Sequence, residues 1–89
     1  MTNSKEFLTA AEYVKKLKKM PSDDEMLNIY KYYKQATLGD NNTPRPGMLN
    51  FKGVKKWEAW NSVKGTSTHN SEVEYIKLVN QVINKYGFN

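Results

Sequence analysis

Apolar residues recur at helical spacing in four separate segments of this 89-residue chain, and no segment alternates with the two-residue period of a strand. The first segment covers roughly residues 4–18, the second 23–38 and the third 52–62, and the last ends near Tyr86. We therefore expect an all-α fold in which four helices pack as a bundle. The length suits a single small domain, 1–89.

Capping and breaking residues mark the ends of these helices. Pro21 breaks the first segment, and the capping-box sequence from Ser22 to Glu25 starts the second. Ser67 is suited to cap the start of the last helix, and Gly87 to cap its end. The sequence therefore predicts where the second and last helices begin, and where the last one ends.

The segment 39–50 is a long loop for so small a domain. It contains two prolines and two glycines, which exclude regular structure. Irregular segments of about twelve residues are uncommon in compact domains and are often functional. We therefore expect this loop to do more than connect two helices.

The second helix has two different faces. One face has the spacing of a core stripe and comprises Met26, Ile29, Tyr33 and Ala36. A second stripe beside it mixes apolar, phenolic and cationic groups and comprises Leu27, Tyr30 and Lys34. Periodicity alone thus predicts Tyr33 to be a core residue and leaves the second stripe for another purpose.

The net charge of +5 lies entirely in the central segment 30–56, which has six basic side chains and one acidic one. The rest of the chain is neutral. A localised excess of positive charge favours an anionic partner. Tyr30 and Lys34 project from the same side of the second helix, and the lysines of the third helix could close on them: Lys52, Lys55 and Lys56.

This combination of phenol rings and ammonium groups suits two kinds of partner. Ammonium groups bind phosphate through charge-assisted hydrogen bonds, and tyrosine rings stack on bases, so a phosphorylated small molecule with a base fits. A small basic helical domain with two tryptophans also fits nucleic acid. The compact charge patch favours the small ligand. We expect Trp57 and Trp60 to be core anchors.

Several kinds of chemistry are excluded or disfavoured. Cysteine is absent, so no disulfide, thiolate metal site or thiol nucleophile can form. The single histidine, His69, stands between Thr68 and Asn70, without an adjacent carboxylate to orient it, so we expect a solvated surface residue. No phosphate-loop or metal-ligand spacing occurs. We therefore expect a binding protein without catalytic residues or metal, not an enzyme.

The start of the chain, MTNSKEFLTAAEYV, mixes polar, acidic and apolar residues. It has no apolar run long enough for a signal peptide or a membrane span. We therefore expect a soluble protein of the cytoplasm.

Motifs across almost the whole chain resemble those of the acyl-CoA-binding protein family. The matching stretches are Met26-Leu27, YKYYKQAT (30–37), Gly39-Asp40, RPGM (45–48), FKG (51–53), KWEAWN (56–61), KGTS (64–67) and Tyr75-Ile76. The resemblance implies an up-down-down-up bundle of four helices that binds medium- to long-chain fatty acyl-CoA esters.

The resemblance also assigns roles at the nucleotide end of that ligand. Tyr33 matches the ring that stacks on adenine, in contrast to its predicted core position. Tyr30, Lys34 and Lys56 match the residues that bind the 3′-phosphate of the ribose.

Five further residues match family positions along the rest of the ligand. Lys15 and Lys52 match positions that approach its phosphates or pantetheine. Tyr75 matches a contact beside the pantetheine and acyl chain, and Met26 and Leu27 match residues lining the acyl groove. The family usually reads Gly-Lys-Ala-Lys-Trp where this chain has GVKKW at 53–57. One lysine is therefore displaced by one position, about 100° around the helix.

The resemblance implies buffering and transport of acyl-CoA in fatty acid metabolism. The protein would have no cofactor besides its lipid ligand, and it would meet acyl-CoA-using enzymes transiently. We expect a monomer that neither binds nucleic acid nor inserts stably into a membrane.

Overall fold

The computed structural model describes residues 3–88, which form four α-helices joined by turns and one long loop. The helices are α1 (Lys5–Tyr13), α2 (Asp23–Leu38), α3 (Phe51–Asn61) and α4 (Thr68–Tyr86). Within the described residues the only β contact is an isolated bridge between Leu17 and Phe88. The predicted all-α class is confirmed. No helix of residues 3–88 is long and apolar enough to cross a bilayer.

The predicted caps are present. The Ser22 hydroxyl accepts a hydrogen bond from the Glu25 backbone N–H, and the Glu25 carboxylate accepts one from the Ser22 N–H, which completes the capping box. Ser67 caps α4 by accepting from the backbone N–H of Asn70. Gly87 ends α4 with a φ of 76°, a conformation that favours glycine.

The first helix is shorter than its apolar pattern predicts. α1 ends at Tyr13, a 3₁₀ turn follows over Val14–Lys16, and Leu17 is already extended. The backbone leaves helical geometry because it pairs with the end of α4, where the Lys18 N–H donates to the Gly87 carbonyl at 2.8 Å. The predicted end at residue 18 is therefore wrong.

Hydrogen bonds at both ends of the bundle fix the directions of α1, α2 and α4. Asn3 Nδ2 donates to the Ala36 carbonyl and to Glu72, and the Ser4 N–H also donates to Glu72. The starts of α1 and α4 therefore lie beside the end of α2. At the opposite end, Glu25 contacts the last turn of α4, so α2 runs antiparallel to α1 and α4.

The third helix runs parallel to the second. Trp60, in the last turn of α3, donates its indole N–H to the carbonyl of Gly39, just after α2, at 2.9 Å. Lys56 and Trp60 also lie beside Tyr30 and Lys34 in the same order along both helices. The bundle is therefore up-down-down-up, as the family resemblance implies.

The core is built mainly by α1, α2 and α4. Its buried residues are Phe7, Ala10, Ile29, Ala36, Tyr75, Val79 and Val82. On the predicted core face of α2, Ile29 and Ala36 are buried, whereas Met26 and Tyr33 keep 42% and 41% of their surface exposed. The periodicity-based placement of Met26 and Tyr33 in the core is therefore wrong, because the other helices cover these two side chains only in part.

Glu25 joins the start of α2 to the end of α4. Its carboxylate accepts hydrogen bonds from the Tyr86 hydroxyl at 2.5 Å, the Ser22 backbone N–H at 2.8 Å and the Lys85 ammonium at 3.1 Å. The bond from Tyr86, followed by those from Ser22 and Lys85, lowers the pKa of Glu25 to about 2.

We expect Glu25→Gln to lower the free energy of unfolding at neutral pH and to make that free energy depend less on pH in the acid range. The folded state lowers this pKa, so the stability that the carboxylate contributes is present above pH 4.5 and is lost as the pH falls toward about 2. Urea unfolding at a series of pH values measures the effect. Asp23→Asn removes a carboxylate from the same turn outside this network. If both variants lost the same amount of pH dependence, the proposed contribution of Glu25 to stability would be contradicted.

Candidate ligand-binding site between the second and third helices

Tyr30 is the centre of a cationic cluster formed by Tyr30, Lys34 and Lys56. Tyr30 and Lys34 are one turn apart on α2, and Lys56 approaches from α3. The two ammonium nitrogens lie 5.9 and 5.5 Å from the centre of the Tyr30 ring. These distances are typical of cation–π contacts. Two of the residues that the resemblance assigns to phosphate binding therefore meet at the third.

A second aromatic ring supports Lys34. Its ammonium lies 5.1 Å from the ring centre of Trp60, which is buried and held by its hydrogen bond to Gly39. Trp60 is thus a core anchor, as predicted, and also a support for the cluster. Its spacing of one turn from Lys56 is the sequence signal that could have indicated the second role.

Within residues 3–88, no carboxylate forms an ion pair with the ammonium groups of the cluster. The ion pairs within residues 3–88 use Lys15, Arg45, Lys77 and Lys85, and none of them involves Lys34 or Lys56. An anion bound beside both ammonium groups would therefore be stabilised by each of them. Burial raises the pKa of Tyr30, so its hydroxyl is neutral and can donate a hydrogen bond.

Tyr33 belongs to an aromatic cluster formed with Phe7 of α1 and Tyr75 of α4. Its ring is offset-stacked on Phe7, with 5.7 Å between ring centres and 19° between planes, and lies 5.7 Å from Tyr75. Phe7 and Tyr75 are buried and lie 4.7 Å apart. Tyr33 is therefore held by two core rings while part of its surface faces outward.

The pKa of the buried Tyr75 phenol lies well above its usual value. Burial, with a smaller contribution from Tyr33, raises the pKa of Tyr75 to about 12. Sequence reasoning missed Phe7 as a support for Tyr33, since its apolar spacing on α1 indicates only a core residue. Tyr30 and Tyr33 are three residues apart on α2, so the cationic and aromatic clusters occupy neighbouring parts of one face.

The remaining predicted site residues are spread more widely. Met26 precedes Tyr30 by one turn, and Lys52 precedes Lys56 by one turn, and both are exposed. Leu27 instead lines a groove of about 560 Å³ between α2 and α3, where Lys31, Lys55, Glu58 and Ala59 also line the surface. The structure thus extends the cluster toward the starts of both helices but leaves Leu27 on a separate groove.

Lys15 is not brought into the cluster. It lies in the 3₁₀ turn after α1, where its ammonium is 3.7 Å from the Glu12 carboxylate. Both side chains are largely exposed. Such a pair contributes little stability, so Lys15 can change partners at small cost.

Other motif residues hold α2 against the turn that follows α3. Gln35, which is buried, donates through Nε2 to Asp40 and to the Thr66 carbonyl. The Asp40 carboxylate also accepts from the Gly65 N–H at 2.8 Å, and this bond, followed by that from Gln35, lowers its pKa. These residues therefore fix the ends of the two helices that form the cationic cluster.

The long loop is anchored by the third helix. The Trp57 indole N–H donates to the Thr43 carbonyl at 2.8 Å, and buried Asn41 donates to the Trp57 carbonyl at 3.2 Å. The Asn41 side-chain oxygen accepts from both the N–H and the hydroxyl of Thr43. The first half of the loop is thus a hydrogen-bonded structure attached to α3.

His69 is exposed at the start of α4, as predicted. Glu72, one turn later, is buried and accepts hydrogen bonds from Asn3 and Ser4. Burial acts to raise the pKa of Glu72, but these hydrogen bonds outweigh it and the net shift is downward. In the described part of the chain, no group of three or more acidic or histidine side chains could hold a metal ion.

Comparisons with known proteins agree with this architecture. The family model described as "Acyl CoA binding protein" matches residues 4–79. An acyl-CoA-binding protein homolog from Drosophila melanogaster is 52% identical over 83 residues, covering 93% of this chain and 96% of the relative. The acyl-CoA-binding protein of Saccharomyces cerevisiae is 50% identical over 80 residues, covering 90% and 92%.

Solved structures show the same fold. The crystal structure of Oryza sativa acyl-CoA-binding protein 2 superposes with a TM-score of 0.86 at 40% identity, covering 90% of this chain and 87% of that one. The solution structure of the yeast acyl-coenzyme A binding protein superposes with a TM-score of 0.77 at 49% identity, covering 94% and 98%. The chain therefore belongs to the acyl-CoA-binding protein family.

Proposed function

We propose that this protein binds medium- to long-chain fatty acyl-CoA esters non-covalently, buffers their free concentration and carries them. The observation that carries the proposal is the cationic cluster, in which Lys34 and Lys56 flank Tyr30 without a carboxylate from residues 3–88 to neutralise them. Family membership supports it, since the relatives are named acyl-CoA-binding proteins.

The 3′-phosphate of the ligand would lie within the cationic cluster. The ammonium groups of Lys34 and Lys56 would donate to its oxygens from α2 and α3, and the neutral Tyr30 hydroxyl would add a third donor. Because neither ammonium group is paired with a carboxylate of residues 3–88, a dianion bound there would supply the missing counter-charge as well as gaining hydrogen bonds.

The adenine ring would stack on Tyr33. Phe7 and Tyr75 hold the Tyr33 ring in place, so little conformational freedom is lost when a base covers it. Lys52, one turn before Lys56, would reach the diphosphate or pantetheine, and Lys15 would join by leaving Glu12. The neutral Tyr75 phenol would lie beside the pantetheine and the start of the acyl chain.

The acyl chain would run along the start of α2, past Met26 and on to the separate groove that Leu27 lines. Burial of hydrocarbon contributes about 0.8 kcal/mol per methylene, so shielding a palmitoyl chain provides on the order of 10 kcal/mol as an upper limit before ordering costs. A nanomolar complex needs about 12 kcal/mol in total. The head group would therefore orient the ligand, and the chain would supply much of the affinity.

A carrier of this kind needs no catalytic residue and no cofactor. We propose that one acyl-CoA-binding domain, 1–89, works as a cytoplasmic monomer that hands its ligand to acyl-CoA-using enzymes in transient encounters. The nucleic-acid alternative gains no support, because the cationic cluster is compact and the family match points to a lipid ligand.

We expect Lys34→Ala to weaken binding of palmitoyl-CoA by about 1.5–3 kcal/mol, because a charge-assisted contact to the 3′-phosphate is lost. Titration calorimetry should show a much smaller loss for the palmitoyl ester of 3′-dephospho-CoA. Lys77→Ala, which removes a lysine paired with Glu74 on α4, is the matched control and should bind both ligands normally. Equal losses for the two ligands in Lys34→Ala would remove its proposed role.

We expect Tyr33→Ala to lose roughly 1–3 kcal/mol of binding free energy for palmitoyl-CoA, since the adenine loses its stacking surface. Tyr33→Phe keeps the flat ring and should bind close to normally. Unfolding curves of both variants separate a stacking loss from damage to the contacts with Phe7 and Tyr75. Unchanged affinity in a folded Tyr33→Ala protein would refute the stacking assignment.

A further inference from the structure

Three large apolar side chains that are close together in the sequence are exposed where the long loop meets α3. Met48, Leu49 and Phe51 are 86%, 91% and 72% exposed, and we call them the apolar tip. Single exposed apolar residues are ordinary, but a contiguous group indicates an interaction surface. The lipid contacts proposed above involve the start of α2 and do not include these residues.

The apolar tip is displayed by a hydrogen-bonded turn. The Asn50 N–H donates to the Gly47 carbonyl at 3.0 Å, and the Asn50 side chain caps α3 by accepting from the Gly53 N–H at 3.1 Å. A Cβ at position 53 would lie 2.8 Å from Asn50 Cγ, so a larger residue there would displace the capping side chain. The tip is therefore preorganised, and docking it would require little further ordering.

Positive charge flanks the apolar tip. Lys52 follows Phe51 directly, and Lys55 lies one turn after Phe51 on the same face of α3. Neither lysine forms an ion pair within residues 3–88, although Asp24 and Glu58 line the groove beside Lys55. Lys55 is the lysine displaced from the usual family spacing, and its displacement of about 100° brings it to the Phe51 face.

The same end of the bundle carries a second basic and apolar segment. Because α1 runs antiparallel to α2 and α3, its C-terminal connection lies at the end where α3 begins. That connection contains Lys18 and Lys19, followed by Met20, which is 82% exposed. Apolar side chains and ammonium groups thus share one end of the molecule, together with the acidic first turn of α2.

We propose that the apolar tip docks this protein on anionic membrane surfaces, with Met48, Leu49 and Phe51 entering the boundary between headgroups and acyl chains while Lys52 and Lys55 contact anionic headgroups. A membrane suits this surface better than a protein partner, because the three side chains are almost fully exposed and a bilayer needs no matching pocket. The flanking charge complements an anionic leaflet. Docking needs no bound acyl-CoA, so this proposal is independent of the function proposed above.

Sedimentation of the ligand-free full chain with vesicles tests the proposal. One set contains phosphatidylcholine alone, and another contains about one-third phosphatidylserine, the lipid class that attracts basic surfaces. We expect binding to the anionic set and much weaker binding to the neutral set.

Replacing Met48, Leu49 and Phe51 by serine should reduce anionic-vesicle binding at least about tenfold, because each loses interfacial burial. Leu8→Ser with Val73→Ser, exposed apolar residues on α1 and α4, is the matched control and should bind normally.

Lys55→Gln tests the electrostatic contribution to membrane binding. It should weaken binding to the anionic vesicles about fivefold, the change expected for one basic residue near such a surface, and leave neutral vesicles unaffected. Calorimetry with octanoyl-CoA, without vesicles, reports the acyl-CoA site separately, so a failure there does not bear on docking. If the parent protein fails to bind both vesicle sets, or if the triple serine variant binds like the parent, the apolar tip is not a membrane-docking element.

Discussion

Two ammonium groups held around one phenol ring are the interaction on which the account depends. Lys34 and Lys56 come from different helices, yet both lie within 6 Å of the Tyr30 ring centre and neither has a carboxylate partner within residues 3–88. Cation–π contacts with Tyr30 and Trp60 hold these two ammonium groups in place. Such uncompensated charge is typical of a site shaped for an anion.

The rest of the bundle keeps α2 and α3 parallel and in register, so that these charges meet. Trp60 ties the end of α3 to Gly39, and Asp40 ties the end of α2 to the turn at Gly65. At the other side of the face, Phe7 and Tyr75 hold Tyr33 half-exposed. The specific family motifs therefore include scaffold residues as well as the proposed ligand contacts. This arrangement lets one small domain display a charged cluster and an aromatic surface side by side.

Local pattern predicted much of this structure but not the contacts between distant segments. The capping residues and the Tyr30–Lys34 stripe are local features, and sequence spacing predicts them correctly. The early end of α1 depends on Leu17 meeting Phe88, a contact between opposite ends of the chain that local periodicity cannot reveal. Tyr33 was misplaced in the core for a similar reason, since a helical stripe does not show where neighbouring helices stop covering it. Here the family resemblance supplied what spacing could not, although the assigned ligand contacts remain predictions.

The most direct test of the cationic cluster is the ionisation of the bound ligand's 3′-phosphate. A phosphate monoester has a second pKa of about 6, and two adjacent ammonium groups favour its dianion. Phosphorus NMR of palmitoyl-CoA bound to the protein, followed as a function of pH, should therefore show this pKa at least about one unit below that of the free ligand. A 3′-phosphate that titrates in the complex as it does in free solution would contradict its placement between Lys34 and Lys56.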